Sequence, residues 1–226
     1  GEGALSASFI PVYAELLGHD RREQADRVAG AVFGALALVT SILVAVGIAF
    51  AGPFTDLVAP GMEGATRELT VRLVRILFPG TGLLVISAWC LGILNSHRRF
   101  FISYAAPVVW NVAIIVTLIA FGAETDLARF AEIVAWGTVV GALLQFGVQL
   151  PQALALLGRF RPSFEFKLAS MRQVVRGFLP ALVGRGVVQI SAFVDLAYAS
   201  LVTERAIAVL SFAQTLYLLP VSLFGM

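Results

Sequence analysis

Long apolar segments alternate with short polar segments along the whole chain. A helix needs about 20 mostly apolar residues to cross the hydrocarbon layer of a bilayer. By this criterion the pattern predicts an all-α chain in which consecutive helices cross the membrane in opposite directions. The predicted spans are a partial one at 1–17 and further ones at 28–51, 69–94, 103–122, 131–157, 177–202 and 206–226.

Basic residues concentrate in every second polar segment. Short loops rich in Lys and Arg stay on the cytoplasmic side of a membrane. One set of loops holds Arg21, Arg22, Arg27, Arg98, Arg99, Arg159, Arg161, Lys167, Arg172 and Arg176, and the other set only Arg67, Arg129 and Arg205. This alternation predicts that the chain enters from outside and that residues 158–176 form a cytoplasmic linker.

Composition agrees with a membrane protein and excludes several other classes. Of the 226 residues, 59% are hydrophobic and 13% charged, whereas soluble domains have about 45–50% and about 25%. A soluble enzyme, a disordered chain and a disulfide scaffold are therefore excluded. Cys90 is the single cysteine and there are two histidines, so we expect no metal site and no cofactor. A net charge of +2 does not suggest a nucleic-acid partner.

Two charged residues lie inside the predicted span 177–202. A charge at the centre of a membrane helix costs about 2.5–3.5 kcal/mol, so Arg185 and Asp195 should face protein or water. They are separated by about 15 Å of helical rise and by roughly 80° around the axis, so they cannot pair directly. Gln189 follows Arg185 by one turn and extends a polar stripe. Contact of Arg185 with helix carbonyls is the alternative to a binding role.

Amides and prolines recur in the other spans. A single Asn or Gln in a membrane helix more often bonds to a neighbouring helix than to a ligand. Several of them together with Arg185 and Asp195 favour a hydrophilic central cavity, and they are Asn111, Gln145, Gln149 and Gln214. Prolines in successive helices indicate bends that either allow rocking, as in transporters, or are static kinks; they are Pro11, Pro79, Pro107, Pro180 and Pro220. Gly30 to Gly34 and Gly137 to Gly141 predict close helix packing.

Several motifs in order along the chain resemble the MurJ (MviN) lipid II flippase family. The opening resembles the family's EGA-[FL]-S-x-[AS]-F-[VI]-P signature, with Glu2-Gly3-Ala4-Leu5-Ser6-Ala7-Ser8-Phe9-Ile10-Pro11. Later segments are similar to its internal motifs, with Leu94-Asn95-Ser96, Arg99-Phe100, Ala106-Pro107, Asn111, Ala135-Trp136-Gly137, Gln145, Gln149, Pro180-Ala181 and Gln189-Ile190-Ser191. Because Gly1 is not Met and 216–226 is still apolar, we expect an internal piece of a longer protein.

The resemblance implies a fold and an activity. The fold would be a polytopic transmembrane bundle of the MATE-like, two-lobe exporter type. Residues 1–157 would be a partial N-terminal lobe, 158–176 the inter-lobe linker and 177–226 the start of the C-terminal lobe. The implied activity is transport rather than catalysis: flipping of lipid II, the undecaprenyl-linked peptidoglycan precursor, from the inner to the outer leaflet of the bacterial cytoplasmic membrane. Membrane lipids and cell-wall synthesis proteins are the other implied partners.

The polar residues inside the spans, taken with the implied substrate, give site expectations, although Arg185 stands where the better-known members of the family have a small or apolar residue. We expect Arg185 to bind the substrate diphosphate, with polar lining from Gln189, Asn111, Gln145 and Ser6. Glu2 and Asp195 are candidates for coupling to the membrane potential or to a monovalent cation, or for holding arginines in place. The family's usual Arg and Glu in its eighth helix are replaced here by Thr215 and Leu218, which suggests a divergent member.

Four alternatives remain open at this stage. A flippase for another polyprenyl-linked saccharide would keep a cationic cavity. A drug or cation antiporter would need a carboxylate-centred cavity, for which only Glu2 and Asp195 are available. A non-transporting scaffold would be consistent with the missing eighth-helix pair. A glycosyl- or acyltransferase would need a His or Asp cluster, and the sequence contains none.

Overall fold

The computed structural model describes residues 2–165 and 169–224, and within these ranges the chain is helical with no strand. Each predicted span is matched by a helix, and one short helix is additional. In chain order the helices are α1 (Glu2–Gly18), α2 (Arg22–Ala49), α3 (Ala51–Val58), α4 (Gly64–Ser96), α5 (Phe100–Phe121), α6 (Leu127–Leu156), α7 (Ala169–Val202) and α8 (Glu204–Phe224).

Five of the described helices, α2, α4, α5, α6 and α7, are long and apolar enough to cross a membrane. The longest are α7 with 34 residues and α4 with 33 residues. At 1.5 Å per residue α4 is about 50 Å long, whereas the hydrocarbon layer is about 30 Å thick. These helices therefore extend beyond the apolar layer, and the prediction of an all-α transmembrane bundle is confirmed.

Two elements differ from the sequence prediction. The short helix α3 follows α2 directly and begins at Ala51, where the sequence predicted only the end of a span. Helix α7 begins at Ala169, so it takes up the last residues of the segment predicted to link the lobes. Both differences arise because hydropathy detects only the apolar part of a helix, and helices continue into polar segments.

The buried core lies toward the predicted cytoplasmic ends of α1, α2 and α4. Its largest side chains include Phe9 and Tyr13 of α1 together with Trp89 and Ile93 of α4. Val28 contributes from the first turns of α2. The indole Nε1 of Trp89 donates a hydrogen bond to a backbone carbonyl of α2, that of Ala29, at 2.9 Å. These contacts join the three helices into one unit on that side.

Helix α6 packs against α4 and α5, and α7 packs against α1 and α8. Close approach in the first group depends on small residues. A Cβ at Gly137 would overlap the side chain of Thr117, and a Cβ at Gly141 would overlap Trp110. Gly177 of α7 approaches α1 less closely, since a Cβ there would lie 3.3 Å from Ser8 Cβ. The molecule thus has an α4–α5–α6 group joined through α1 to α7.

Candidate functional site

The polar stripe of α7 carries the residues that the sequence placed at the centre of the site. Gln189 and Asp195 are exposed on this helix. The side chain of Arg185 lies outside the described residues, and so does that of Glu2 at the start of α1. Apolar residues of the same helix, such as Ile190 and Phe193, are exposed as well, so exposure alone does not distinguish Gln189 and Asp195 from their neighbours.

The predicted lining residues of the other helices lie in different environments. Ser6 is half-buried on α1, and Asn111 is exposed on α5. The Asn111 amide Nδ2 donates to the carbonyl of Pro107 in its own helix at 3.0 Å. Within the described part of the chain, no hydrogen bond joins any two of Ser6, Asn111, Gln145, Gln189 and Asp195, so they do not form one bonded cluster.

Gln145 lies between two helices. It is 3% exposed, and its neighbours Ser87 and Gln149 are 1% and 0% exposed. Ser87 Oγ donates to Gln149 Oε1, and Gln145 Nε2 donates to Ser87 Oγ at 3.4 Å. Among the described residues, Gln145 Oε1 and Gln149 Nε2 have no partner. These three side chains join α4 to α6 in the interior of the bundle.

A cavity of about 440 Å³ opens on the predicted cytoplasmic side. Its lining includes Tyr13, Arg22, Asp26 and His97. The Tyr13 hydroxyl lies 3.1 Å from His97 Nε2. Burial lowers the pKa of His97, and the positive charges of Arg22 and Arg99 lower it further, while Asp26 opposes them. His97 is therefore mainly neutral at pH 7 and serves as a hydrogen-bond partner of Tyr13.

A second polar cavity, of about 360 Å³, lies beside the segment 158–165, which we call the strap. The strap is the extended chain that follows α6. The cavity is lined by residues of both charge signs from α2 and the strap, namely Glu23, Asp26, Arg27, Arg159, Arg161, Ser163 and Glu165. Arg27 is paired with Glu23 at 2.7 Å. Mixed charge makes this cavity a solvated edge rather than a dedicated anion site.

At the opposite end of the molecule, α3 and the connection after it contact α4 and α7. Arg67 of α4 holds Asp56 of α3 in a two-point ion pair at 2.6 and 2.8 Å, and this pairing lowers the pKa of Asp56. The connection after α3 then reaches α7. The Gly61 backbone N–H donates to Ser200 Oγ at 3.2 Å, and a Cβ at Gly61 would overlap the Ser200 carbonyl oxygen.

Sequence reasoning missed several of these residues. Ser87 is a polar residue within an apolar run, so its position was a usable signal for an interhelical bond. The contact between Gly61 and Ser200 joins residues 139 positions apart, and no periodicity in the sequence indicates it. Within the described part of the chain there is no group of three His, Cys, Asp or Glu residues able to hold a metal ion.

The family comparison covers every residue of the chain. The family model described as "Lipid II flippase MurJ" matches residues 1–226. The chain belongs to the MurJ lipid II flippase family. The resemblance found in the opening signature is therefore confirmed, as is the expectation of a multi-pass protein of the bacterial cytoplasmic membrane.

Individual relatives agree with the family match. A probable lipid II flippase MurJ of Bdellovibrio bacteriovorus is 33% identical over 232 residues, a match that includes 100% of this chain and 43% of the relative. The lipid II flippase MurJ of Burkholderia cenocepacia is 29% identical over 231 residues, with 99% of this chain and 44% of the relative covered. The chain thus spans less than half the length of these MurJ proteins.

A solved structure supports the MurJ fold. The structure titled "Lipid II flippase MurJ, inward closed conformation" superposes with a TM-score of 0.77 at 24% sequence identity. The match covers 100% of this chain and 46% of that one. The MATE-like exporter architecture expected from the resemblance is confirmed over the whole length of the chain.

Proposed function

We propose that the protein containing this chain is a flippase that moves lipid II from the cytoplasmic to the outer leaflet. The observation that carries the proposal is the match of the MurJ family model to residues 1–226. Because the chain covers 43% of a relative such as the Bdellovibrio protein, the activity belongs to the longer protein. This chain would supply most of the N-terminal lobe, the linker and the first two helices of the C-terminal lobe.

The proposed mechanism is alternating access with capture of the anionic headgroup. Lipid II carries a diphosphate, and an arginine in a low-dielectric cavity can give it charge-assisted hydrogen bonds. Arg185 is our candidate for this contact. The exposure of Gln189 on the same helix supports a polar surface there. Ser6 and Asn111 would extend the lining, and Gln145 would contribute from the α4–α6 interface.

Energy coupling would involve the acidic residues near this surface. Asp195 is exposed on α7, and Glu2 is at the first position of α1. We propose that one or both respond to the membrane potential or to a monovalent cation, or hold the cavity arginines in place. The polar cavity of about 440 Å³ on the cytoplasmic side and the outer contact at Gly61 support a passage that is closed on the outside.

Replacement of Arg185 tests the headgroup assignment. The Arg185→Ala variant of the full-length protein is expressed in cells depleted of their own flippase. We expect translocation of lipid II to fall roughly tenfold or more, because a charge-assisted hydrogen bond contributes about 1.5–3 kcal/mol. Growth and accessibility of lipid II on the outer leaflet are the measurements.

Arg176→Ala is the matched control, since Arg176 is an exposed arginine on the cytoplasmic part of the same helix. It should support normal growth. Normal translocation by Arg185→Ala at normal membrane levels would contradict the role of Arg185. Failure of the unmodified protein to support growth would instead contradict the flippase activity.

A further inference from the structure

The strap lies in a groove on α2 that two glycines create. A Cβ at Gly30 would overlap the carbonyl oxygen of Arg161, and a Cβ at Gly34 would overlap that of Ser163. The Ser163 N–H donates to the Gly30 carbonyl at 3.2 Å. The sequence predicted that these glycines admit another helix, whereas the structure places extended backbone against them.

A second hydrogen bond, from the backbone of the strap to a side chain of α2, supports the one between Ser163 and Gly30. The Arg159 N–H donates to Asp26 Oδ2 at 2.9 Å. Asp26, Gly30 and Gly34 follow one another at intervals of four residues, so they lie on one face of α2. This face forms a continuous track for the strap from the first turns of the helix to its fourth.

Phe160 anchors the strap to the core. Its ring centroid lies 5.3 Å from that of Phe33 and 5.4 Å from that of Trp89. Trp89 is itself fully buried and is bonded to the Ala29 carbonyl of α2. An aromatic side chain held by two other rings contributes more than its buried area alone. The strap therefore has an apolar anchor as well as backbone hydrogen bonds.

Release of the strap would break specific contacts with the rest of the protein. Asp26 Oδ2 and the Gly30 carbonyl accept hydrogen bonds from the backbone N–H groups of Arg159 and Ser163. Water can replace these hydrogen bonds at the solvated edge beside the strap. Leaving the track would also separate Phe160 from the two rings that it contacts, and water cannot replace those contacts.

We infer that Gly30 and Gly34 are positioning residues that keep the strap bound to α2 in every state of the transport cycle. The strap then moves as part of the N-terminal lobe. The part of this inference that concerns transport rests on the proposed flippase activity.

A disulfide between the strap and α2 tests whether the contact is permanent. A Cβ at Gly158 would lie 3.2 Å from Asp26 Oδ2, so the pair Asp26→Cys and Gly158→Cys replaces the Asp26 contact at the start of the strap with two neighbouring thiols. In the full-length protein we expect the disulfide to form readily under mild oxidation and lipid II translocation to continue. If the disulfide forms and stops translocation, and reduction restores it, then the strap must leave α2 during transport. That result would overturn the inference.

The glycines are tested by the rate at which that disulfide forms. Adding Gly30→Ala or Gly34→Ala to the cysteine pair should slow its formation about tenfold, because overpacking a close contact displaces the backbone. Gly147→Ala is the matched control, since a Cβ at Gly147 meets no atom within 4 Å. An unchanged rate in the Gly30 and Gly34 variants would contradict their role.

Two further controls separate the outcomes. The single-cysteine variants exclude cross-links to the native Cys90, which is buried. The rate of disulfide formation needs no transport, so it tests the position of the strap even if the protein fails to flip lipid II. If the cysteine pair forms no disulfide while Gly30 and Gly34 are unchanged, the strap does not lie on α2 as described.

Discussion

Ser87, Gln145 and Gln149 place polar side chains inside a pair of membrane-spanning helices, where water is scarce. Hydrogen bonds among them link α4 to α6, so each side chain satisfies part of its neighbour's bonding capacity. The sequence predicted that single amides in such spans usually bond to another helix. It could not identify Ser87 as the partner, because the relative rotation of α4 and α6 follows from their packing and not from periodicity.

Removing the Ser87 hydroxyl should destabilise the protein. Ser87→Ala leaves Gln149 Oε1 without its donor in a buried site, which costs about 1–3 kcal/mol. We expect a lower Tm for the full-length protein in detergent, measured by thermal unfolding. Thr81→Ala is the control, because Thr81 is an exposed residue of the same helix whose hydroxyl bonds to its own helix at Leu77. Equal Tm values for the two variants would contradict the structural role of Ser87.

At the scale of elements, α3 shows where sequence patterns lose their predictive value. An eight-residue helix is too short to give a clear hydropathy signal, and the ion pair between Asp56 and Arg67 that joins it to α4 has no signature in the sequence. The contact at Gly30 and Gly34 was predicted only in part. Their spacing correctly indicated close approach, but it did not specify whether the partner would be a helix or the extended strap.

The attachment of α3 should depend on the charge of Asp56. Pairing with Arg67 lowers the pKa of Asp56 below its ordinary value of 3.8. The stabilisation is therefore present above that ordinary value and is lost as the pH falls through the lowered value of the folded protein. We expect Asp56→Asn to increase hydrogen exchange in α3 at neutral pH, with little effect on α5. Unchanged exchange in α3 would indicate that the ion pair does not hold this helix.

For the whole molecule, the sequence predicted the number and order of the helices that match its apolar runs, and their orientation in the membrane stays a prediction. Apolar runs of sufficient length specify spans, and arginine placement specifies orientation, so both follow from local composition. The pairing of helices depends on side-chain shape over long sequence separations. The packing of α7 against α1 and the contact of Gly61 with Ser200 were therefore beyond prediction. The family motifs supplied the fold, because no local rule distinguishes a MATE-like bundle from others.

Disturbing the outer contact should shift the protein toward a state that is open to the outside. Gly61→Val places a side chain where the Ser200 carbonyl lies, so the connection after α3 must move away from α7. We expect faster labelling of a cysteine introduced at the buried Ala59, as Ala59→Cys, by an impermeant thiol reagent added from outside. Gly64→Ala would be a poor control for Gly61→Val, because Gly64 has a φ of 55°, at which an alanine is strained.

Gly52→Ala is the better control, since a Cβ at Gly52 would meet only the Arg67 side chain, at 3.7 Å. It should leave labelling of the Ala59→Cys site unchanged. If Gly61→Val and Gly52→Ala give the same labelling rate, the contact at Ser200 does not close the outer side.

Two contacts near opposite ends of the molecule join residues that are far apart in the sequence, and this affects how the protein assembles during synthesis. Asp26 meets Arg159 across 133 residues, and Gly61 meets Ser200 across 139 residues. During synthesis, helices α3, α4, α5 and α6 must therefore leave the ribosome before the strap can bind to α2. Helix α7 must follow before Gly61 can contact Ser200. Helices inserted early therefore expose surfaces that later segments of the chain cover.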